Sequence, residues 1–544
     1  MKALHTLVAG FSLLPALLIA QQSALLPPAE LLKPLAASWP SYAGDYTGQR
    51  FSLLRQVDRN NVRHLTLAWA ARMNTAVRGE QGGEGKGDFP IPGANMKGSV
   101  LQVDGVLYVT SPDHAWALDA RDGRELWHYF WKTKGGTHIA NRGAAIWNNS
   151  LLFETPDNYL VSLDVRTGKE NWHVEIADFN QQYFSTMAPM VIGDHVLVGT
   201  GNDLDAPGFL QSYDPRTGAL QWKFYTVPMN PGDPGLETWP SLDAARHGGA
   251  QVWMPGSYDP ETDLYIFGTG NPTPGYTGVA RKGDNLFTCS LVALKVSTGK
   301  MVWYYQTSPH DTHDWDSAQT PILFNGTIDG QPRKLVSTAA RNGYFFTLDR
   351  VTGKLIVSSQ FGKTTNWSRG LRANGAPDPN PAKEAIVPGS LVSPFEGGVT
   401  NWQAPAFNPE LGLFYTHESN GFNILYLTDT DPRGSMGLGG KRFAIMGFES
   451  TAFQAIDYRT GKPAWRREWA PGGGFGTGVL ATATDLVFTG DTHGNFVAMD
   501  ATNGDLLWHT RIGNISNAPQ TYEVDGKQYV LVGVNDSLYS FVLY

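Results

Sequence analysis

Short runs of residues with strand character, separated by turn residues, recur along most of the chain. Alternating apolar and polar positions predict strands, and the Gly, Asp and Asn residues between them predict tight turns. Two groups of three such runs, one from each half of the chain, are Val106–Thr110, Ala115–Ala120 and Arg124–Phe130, and Leu486–Asp491, Phe496–Ala501 and Asp505–Arg511. The pattern predicts an all-β protein.

One motif returns in a fixed register: an apolar residue, Asp, three residues, Gly, three residues and Trp. We expect the Asp and Gly to form a tight turn in which Gly has a positive φ. The Trp then falls on the next strand, where its ring can fill the space between neighbouring sheets and its N–H can donate across that space. The copies are Asp119/Gly123/Trp127, Asp164/Gly168/Trp172, Asp214/Gly218/Trp222, Asp457/Gly461/Trp465 and Asp500/Gly504/Trp508. Two degenerate copies keep the register: Lys295/Gly299/Trp303, and Asp349/Gly353 with Val357 in place of Trp.

The spacing of these copies predicts a repeated four-stranded unit. Short intervals, such as the 43 residues from Trp465 to Trp508, match the usual ~40–50 residues of one propeller blade. The longest interval, from Val357 to Trp465, is expected to contain a further blade around residues 402–426.

Both chain ends are expected to share the last blade. Gln528–Val534 and Leu538–Tyr544 would pair with Leu65–Met73, which closes the ring and removes the open sheet edges. The sequence therefore predicts a single eight-bladed β-propeller over residues 25–544, without a second domain.

Composition and charge narrow the function classes. Gly is 61 of 544 residues and charged residues are 17 %, which is typical of a chain rich in turns and strands. The net charge of −8 argues against a nucleic-acid partner, because phosphate recognition needs a basic surface. A single cysteine, Cys289, excludes an intrachain disulfide and a cysteine-based zinc or haem-attachment motif.

The N-terminus is typical of an exported protein. Lys2 precedes an apolar run from Leu7 to Ala20, which has the length of a secretory signal, with Ala20 or Ala24 as the cleavage site. Residues 1–24 are therefore predicted to be a signal peptide, the mature protein to be periplasmic, and no later segment to span a membrane. The alternative is an apolar N-terminal helix that docks on the fold.

The segment Gly248–Asp316 is the best candidate for a functional site. Asn271 lies in a Gly-Asn-Pro turn after a strand, and His310, Asp311, His313, Asp314 and Asp316 lie within seven positions. A polar surface loop with Asx turns is the alternative. The two histidines have no third ligand at matching spacing, so a zinc site is not favoured.

These motifs resemble those of the pyrroloquinoline-quinone (PQQ) dependent alcohol dehydrogenases, from YAGDYTGQRF (residues 42–51) to the C-terminal strands. The resemblance implies that Trp253 forms the floor under the quinone and that Asp314 is the catalytic base. It implies cofactor contacts from Arg142, Thr186, Arg341 and Asn401. It implies metal ligands Asn271, Asp314, Asp316 and, with a one-residue gap in the alignment, Asp203.

The implied metal is Ca²⁺ or a lanthanide ion. A hard cation bound by carboxylate and amide oxygens can polarise a quinone as a Lewis acid. Asp316 matches the additional carboxylate of the lanthanide-using branch of the family, and a trivalent ion gains more from each added negative oxygen than Ca²⁺ does.

Four positions depart from the family pattern. Gly136 and Thr137 stand where the family has an adjacent cysteine pair, Lys97 stands where it has a cofactor-contacting glutamate, and Asp203 stands near the place of a metal-binding glutamate. The departures leave two hypotheses: a divergent dehydrogenase, or a propeller whose cofactor site has decayed.

The resemblance implies a periplasmic dehydrogenase that oxidises a small alcohol and passes electrons to a separate cytochrome c or similar carrier. The alternative from another class is a cofactor-free, PQQ-like propeller that acts as a binding or scaffold protein, similar to the PQQ-like propellers of outer-membrane assembly.

Overall fold

The structure is a computed structural model, and it describes residues 24–73, 96–136, 140–427, 441–470 and 476–544. The predicted signal peptide lies outside these residues except for Ala24. Strands dominate the described chain, as the sequence predicts. The helical elements in these ranges are one α-helix, Leu242–Arg246, and the 3-10 turns Pro28–Leu32, Val62–His64, Phe179–Gln181, Leu236–Thr238 and Pro381–Lys383.

Eight sheets of four or five strands follow one another along the described chain. We number them one to eight. Sheet one contains Leu101–Val103, Val106–Ser111, His114–Asp119 and Glu125–Phe130; sheet two Ala145–Trp147, Ser150–Glu154, Tyr159–Asp164 and Glu170–Glu175; sheet three Met190–Ile192, His195–Thr200, Phe209–Tyr213 and Leu220–Tyr225; sheet four Ser257–Asp259, Leu264–Gly268, Ser290–Lys295 and Lys300–Gln306.

The second half of the chain continues the series. Sheet five contains Ile322–Ile328, Gln331–Ala339, Tyr344–Asp349 and Leu355–Gln360; sheet six Ser390–Val392, Ala406–Asn408, Leu413–Leu427, Lys441–Asp457 and Lys462–Glu468; sheet seven Phe51–Ser52, Leu480–Thr482, Leu486–Gly490, Asn495–Asp500 and Leu506–Arg511; sheet eight Leu65–Arg72, Gln520–Val524, Lys527–Val534 and Ser537–Leu543. A two-stranded sheet, Ser368–Leu371 with Pro377–Pro379, lies in the long interval before sheet six.

Sheet eight combines both ends of the described chain. Leu65–Arg72 pairs antiparallel with Ser537–Leu543, which confirms the predicted pairing of these segments. Sheet six confirms the strands expected around residues 402–426. The short strand Phe51–Ser52, which pairs parallel with Leu480–Thr482, was not predicted.

The repeated motif performs the two roles that the sequence predicts. The N–H of Gly168 donates to the carbonyl of Asp164 over 2.9 Å, and Gly168 has φ +68°. Trp127 of the preceding sheet donates its indole N–H to the carbonyl of Val165 over 2.9 Å. A Cβ on Gly168 would lie 2.6 Å from the ring of Trp127, so the glycine is required for the close approach of the two sheets.

The same indole bond recurs at three other copies of the motif, where the acceptor again follows the first residue of the next copy. The pairs are Trp222 with Val296, Trp303 with Arg350 and Trp465 with Ala501.

Buried apolar side chains pack between neighbouring sheets, as expected for sheets whose faces are both covered. Leu264 and Leu291 of sheet four pack with Val336 of sheet five in one such cluster. Leu107 of sheet one packs with Leu531 of sheet eight in another, so the last sheet also contacts the first. Within the described ranges, the helices are all too short to cross a bilayer.

Candidate active site

The predicted site residues share one position in the sheets. All but Asn401 lie shortly before the first strand of a sheet or shortly after its second strand. Because these two strands run antiparallel, both positions lie at the same end of the sheet. Before a first strand lie Arg142, Thr186, Trp253, Asp314 and Asp316; after a second strand lie Asp203, Asn271 and Arg341. Asn401 lies between Ser390–Val392 and Ala406–Asn408 of sheet six.

Arg341 joins the two predicted catalytic-loop carboxylates. Its Nη1 lies 3.1 Å from Oδ2 of Asp316, and its Nη2 lies 3.5 Å from Oδ2 of Asp314. All three side chains are buried. Two carboxylates therefore share one guanidinium in a site that is largely closed to water.

Burial dominates the ionisation of both aspartates. Burial raises the pKa of Asp314 well above its ordinary value, the charge of Arg341 opposes the shift, and the charge of Asp316 adds to it. Burial likewise raises the pKa of Asp316 to about 6, against the opposing charge of Arg341. A positive charge placed between them would therefore be favoured.

The loop that carries these aspartates is organised by Asp311. Its Oδ2 accepts the backbone N–H groups of Asp314 at 2.9 Å and Trp315 at 3.1 Å. The ring of His313 stacks on buried Trp315, with 4.3 Å between ring centroids. Asp311 and His313 thus have structural roles: they hold the turn in which Asp314 adopts φ +67°.

Asp316 is held from two other elements. It accepts the indole N–H of Trp253 at 2.8 Å and the backbone N–H of Asn271. The floor residue, the amide residue and the second carboxylate that the sequence predicts are therefore in direct contact.

Gln251 brings in the remaining predicted metal ligand. Its Nε2 donates to Oδ1 of Asn271 over 2.9 Å and to Oδ1 of Asp203. A Cβ on Gly270 would lie 1.9 Å from Oε1 of Gln251 and 3.0 Å from Oδ1 of Asp316, so only glycine fits between them. The sequence prediction missed Gln251, although it lies two residues before Trp253.

Arg142 covers the floor residue. Its guanidinium carbon lies 4.5 Å from the ring centroid of Trp253 and 5.7 Å from that of Trp402. Its Nη1 donates to the carbonyl of Thr186 over 3.2 Å, and Thr186 Oγ1 donates to the carbonyl of Trp253 over 3.5 Å. Three of the predicted cofactor contacts therefore form one group.

Asn401 stands apart from this group in its hydrogen bonding. Its Nδ2 donates to the carbonyl of Gly397 over 2.8 Å, and its Oδ1 accepts the N–H of Trp402 over 2.8 Å. Its described side-chain bonds thus stay within its own loop, and its cofactor contact stays a prediction.

Glu154 is a second residue that the sequence prediction missed. It lies at the end of a strand of sheet two and is 1 % exposed. Its Oε2 accepts the N–H of Met187 over 3.2 Å, and burial raises its pKa well above the ordinary value while the charge of Arg142 opposes the shift. A lone Glu at the end of an apolar run is its only signal in the sequence.

The departures from the family pattern are built into the packing. A Cβ on Gly136 would lie 2.6 Å from the carbonyl oxygen of Pro156, so a side chain would require the chain to shift. Thr137 lies outside the described residues. Lys97 is half-buried near Arg142, and its pKa is lowered by burial and by the charge of Arg142.

The donor set fits a hard cation and an anionic quinone, although no three of the described Asp, Glu, His and Cys side chains form a preformed metal site. Oε1 of Gln251 is buried without a partner beside Asn271, so an unused oxygen ligand is present. The Nε atoms of Arg142 and Arg341 are also buried without a partner, which leaves donors for carboxylates or carbonyls.

Comparison with known proteins decides the family. Residues 39–361 match the family described as the β-propeller domain of PQQ-dependent glucose, ethanol and alcohol dehydrogenases. The chain belongs to this family. Residues 449–541 also match the family of outer membrane protein assembly factor BamB.

Individual relatives agree with this assignment. The chain is 35 % identical over 523 residues to quinoprotein alcohol dehydrogenase PedH of Pseudomonas putida, which covers 89 % of this chain and 84 % of the relative. The crystal structure of quinohemoprotein alcohol dehydrogenase from Comamonas testosteroni superimposes with a TM-score of 0.84 at 30 % identity, over 95 % of this chain and 82 % of that one.

A europium-containing methanol dehydrogenase superimposes with a TM-score of 0.82 at 27 % identity, over 95 % of this chain and 99 % of that one. The comparisons confirm both the predicted all-β propeller fold and the predicted resemblance to PQQ-dependent alcohol dehydrogenases.

Proposed function

We propose that this protein is a periplasmic alcohol dehydrogenase that uses PQQ and a bound metal ion. The observation that carries the proposal is the contact of Trp253, Asn271 and Arg341 with one buried carboxylate, Asp316. In this arrangement a flat aromatic floor, an amide, a guanidinium and acidic side chains meet at one end of adjacent sheets. Membership of the PQQ dehydrogenase family supports the same function.

The proposal also covers the closure of the fold and the role of the N-terminal segment. The eight sheets are the blades of one closed ring formed by residues 25–544, and sheet eight closes it by joining both chain ends. The contact of Leu107 with Leu531 between sheets one and eight supports this closure. Residues 1–24 are the signal peptide that directs export.

The side chains that would hold PQQ are Trp253, Arg142, Arg341, Thr186 and Asn401. When bound, PQQ supplies a quinone that accepts a hydride equivalent from the alcohol carbon. The indole of Trp253 offers an apolar face for a planar ring. Arg142 and Arg341 offer unpartnered N–H groups, which suit the carboxylates and carbonyls of the cofactor.

The metal would be held by Asp203, Asn271, Asp314 and Asp316, all of them oxygen ligands. Three carboxylates around one site favour a trivalent lanthanide ion over Ca²⁺, since each negative oxygen gains more from the higher charge. The structural likeness to a europium-containing methanol dehydrogenase supports this choice.

Asp314 is proposed to accept the hydroxyl proton of the alcohol. Burial favours its protonated form, so the charge of Arg341 is needed to keep the carboxylate ionised. An ionised Oδ atom next to the alcohol can then act as a general base. The electrons leave the protein through a separate carrier such as a soluble cytochrome c.

Reconstitution tests this function and its metal. Apoprotein is incubated with PQQ and either La³⁺ or Ca²⁺, and ethanol oxidation is followed with an artificial electron acceptor. We expect turnover in the wild type, with more activation by La³⁺ than by Ca²⁺, and a reversed or lost preference in Asp316→Ala. Equal activation by both ions in both proteins would contradict the metal assignment, and no turnover with either ion would contradict the function.

A cofactor-free binding or scaffold protein is the second candidate. The match of residues 449–541 to an outer membrane assembly family favours it, as do Lys97 and Gly136 at positions where the dehydrogenases differ. Uptake of PQQ by the purified protein distinguishes the two, because a scaffold with a decayed pocket would not bind it.

A further inference from the structure

A cavity of about 270 Å³ is lined in part by Trp402, whose ring lies near the guanidinium of Arg142. Its lining combines one cation with hydroxyl and amide side chains, among them Lys97, Asn514, Ser516, Asn517 and Asn535. The side chains that line it include no carboxylate. The cavity therefore has the charge and the donors for an anionic group.

The backbone on either side of Lys97 is fixed. The N–H of Met96 donates to the carbonyl of Asn535 over 2.8 Å, and the N–H of Ser99 donates to the carbonyl of Arg142 over 3.0 Å. Between them, Nδ2 of Asn517 donates to the carbonyl of Gly98 over 3.2 Å. Hydrogen bonds to the backbone of Met96, Gly98 and Ser99 thus hold Lys97 at the cavity wall.

Two polar groups at the cavity lack a protein partner. Within the described ranges, Nζ of Lys97 has no carboxylate within 4.0 Å and donates no hydrogen bond. Oγ of Ser516 is buried and also has no hydrogen-bond partner among the described atoms. Burial and the charge of Arg142 both disfavour the unpaired ammonium of Lys97, and an anion in the cavity would offset them.

We propose that this cavity binds a carboxylate group, with Lys97 providing the charge and Ser516 a hydrogen bond. A carboxylate in the cavity can accept from both donors and neutralise the charge of Lys97. The carboxylate has two possible sources: PQQ itself, or an alcohol substrate that carries an acid group. Both sources rest on the proposed function, whereas the carboxylate site itself does not.

The test compares wild type with Lys97→Met, which keeps the length of the side chain but removes the charge. Lys97→Arg restores the charge, and Lys354→Met, in an exposed turn, is the matched control for loss of one lysine. Melting temperatures establish that the variants fold. Binding of PQQ in the presence of La³⁺ is measured by quenching of tryptophan fluorescence at low and high NaCl.

If PQQ supplies the carboxylate, its Kd rises at least about tenfold in Lys97→Met, and high NaCl weakens PQQ binding by the wild type more than PQQ binding by the variant. Lys97→Arg and Lys354→Met retain wild-type binding. If the substrate supplies it, the Kd of PQQ is unchanged, and the ratio of KM for 4-hydroxybutanoate to KM for 1-butanol rises at least about tenfold in Lys97→Met. If Lys97→Met alters neither the Kd of PQQ nor the KM ratio, the proposal is overturned.

A wild type that does not bind PQQ would refute the proposed function without deciding the cavity. Titration with benzene-1,2,4-tricarboxylate then decides it. Binding that is lost in Lys97→Met supports a carboxylate site in a protein that is not a PQQ enzyme, and no binding to the wild type overturns the site as well.

Discussion

The indole N–H of Trp253 donates to Oδ2 of Asp316 over 2.8 Å, so the residue that provides the flat floor also fixes a carboxylate of the proposed metal site. The two functions proposed for the site, stacking of a planar ring and binding of a cation, are thereby coupled. A change at Trp253 should affect both.

Trp253→Phe tests this coupling. It keeps an aromatic face but removes a hydrogen bond to a charged acceptor, which contributes roughly 1.5–3 kcal/mol. We expect the affinity for La³⁺, measured by calorimetry, to fall about tenfold or more. Trp402→Phe is the control, because Trp402 lies near the same guanidinium but forms no described bond to Asp316. Equal affinities in Trp253→Phe and wild type would show that the bond does not position the carboxylate.

Asp314→Asn tests the proposed base. The amide keeps the size of the side chain but cannot accept the hydroxyl proton, so kcat for ethanol should fall by roughly 10²–10⁴-fold. Binding of PQQ, followed by fluorescence, should largely remain. A variant that keeps more than half of the wild-type turnover would assign the proton transfer to another residue.

Gly353→Ala tests the docking of the sheets. Gly353 has φ +72°, and an added Cβ would lie 2.7 Å from the ring of Trp303. Gly330→Ala is a matched control, because Gly330 has φ +74° but an added Cβ would contact nothing within 4 Å. Both variants should lose about 1 kcal/mol from backbone strain.

The clash with Trp303 should cost Gly353→Ala about 1–3 kcal/mol more. Calorimetric melting temperatures measure the difference between the two alanine variants. Equal melting temperatures would show that the glycine serves only the turn and not the contact with Trp303.

His417 predicts a dependence of stability on pH. It is buried in sheet six, its Nε2 lies 2.7 Å from Oγ1 of Thr489, and burial lowers its pKa from 6.5 to about 3, with Asp491 opposing the shift. The imidazole of His417 takes up a proton more readily in the unfolded chain than in the folded protein. The stability that His417 contributes is therefore present above pH 6.5 and is lost as the pH falls toward 3.

At pH 5 the loss amounts to about 2 kcal/mol relative to pH 7. His417→Gln should therefore show a smaller fall in its urea midpoint between pH 7 and pH 5 than wild type, whereas exposed His509→Gln should follow wild type. Parallel curves for wild type and His417→Gln would mean that the histidine is protonated in the folded protein.

Local and long-range features differ in how far the sequence predicts them. The contacts of the motif tryptophans between neighbouring sheets are predicted because each copy of the motif carries its own turn, strand and ring, as in Asp164, Gly168 and Trp172. The parallel pairing of Phe51–Ser52 was not predicted, since a strand of two residues has no periodicity and its partner, Leu480–Thr482, is distant in the chain.

The site shows the same division. Asp314 and Asp316 share one loop, so their proximity is visible in the sequence. The bonds of Gln251 to Asn271 and to Asp203 join three separate loops, and nothing in the spacing of these residues indicates them. Likewise, the ion pairs of Arg341 with both aspartates join the segment before the first strand of sheet five to the segment after its second strand, and the spacing in the chain does not indicate them.

Equilibrium uptake of PQQ is the most direct test of the central claim. Purified protein is titrated with PQQ at micromolar concentrations in the presence of La³⁺, and both tryptophan fluorescence and melting temperature are recorded. We predict saturable quenching at one PQQ per chain and a melting temperature that rises with PQQ concentration, because a ligand that binds only the folded state stabilises it. Unchanged fluorescence and an unchanged melting temperature would contradict the claim.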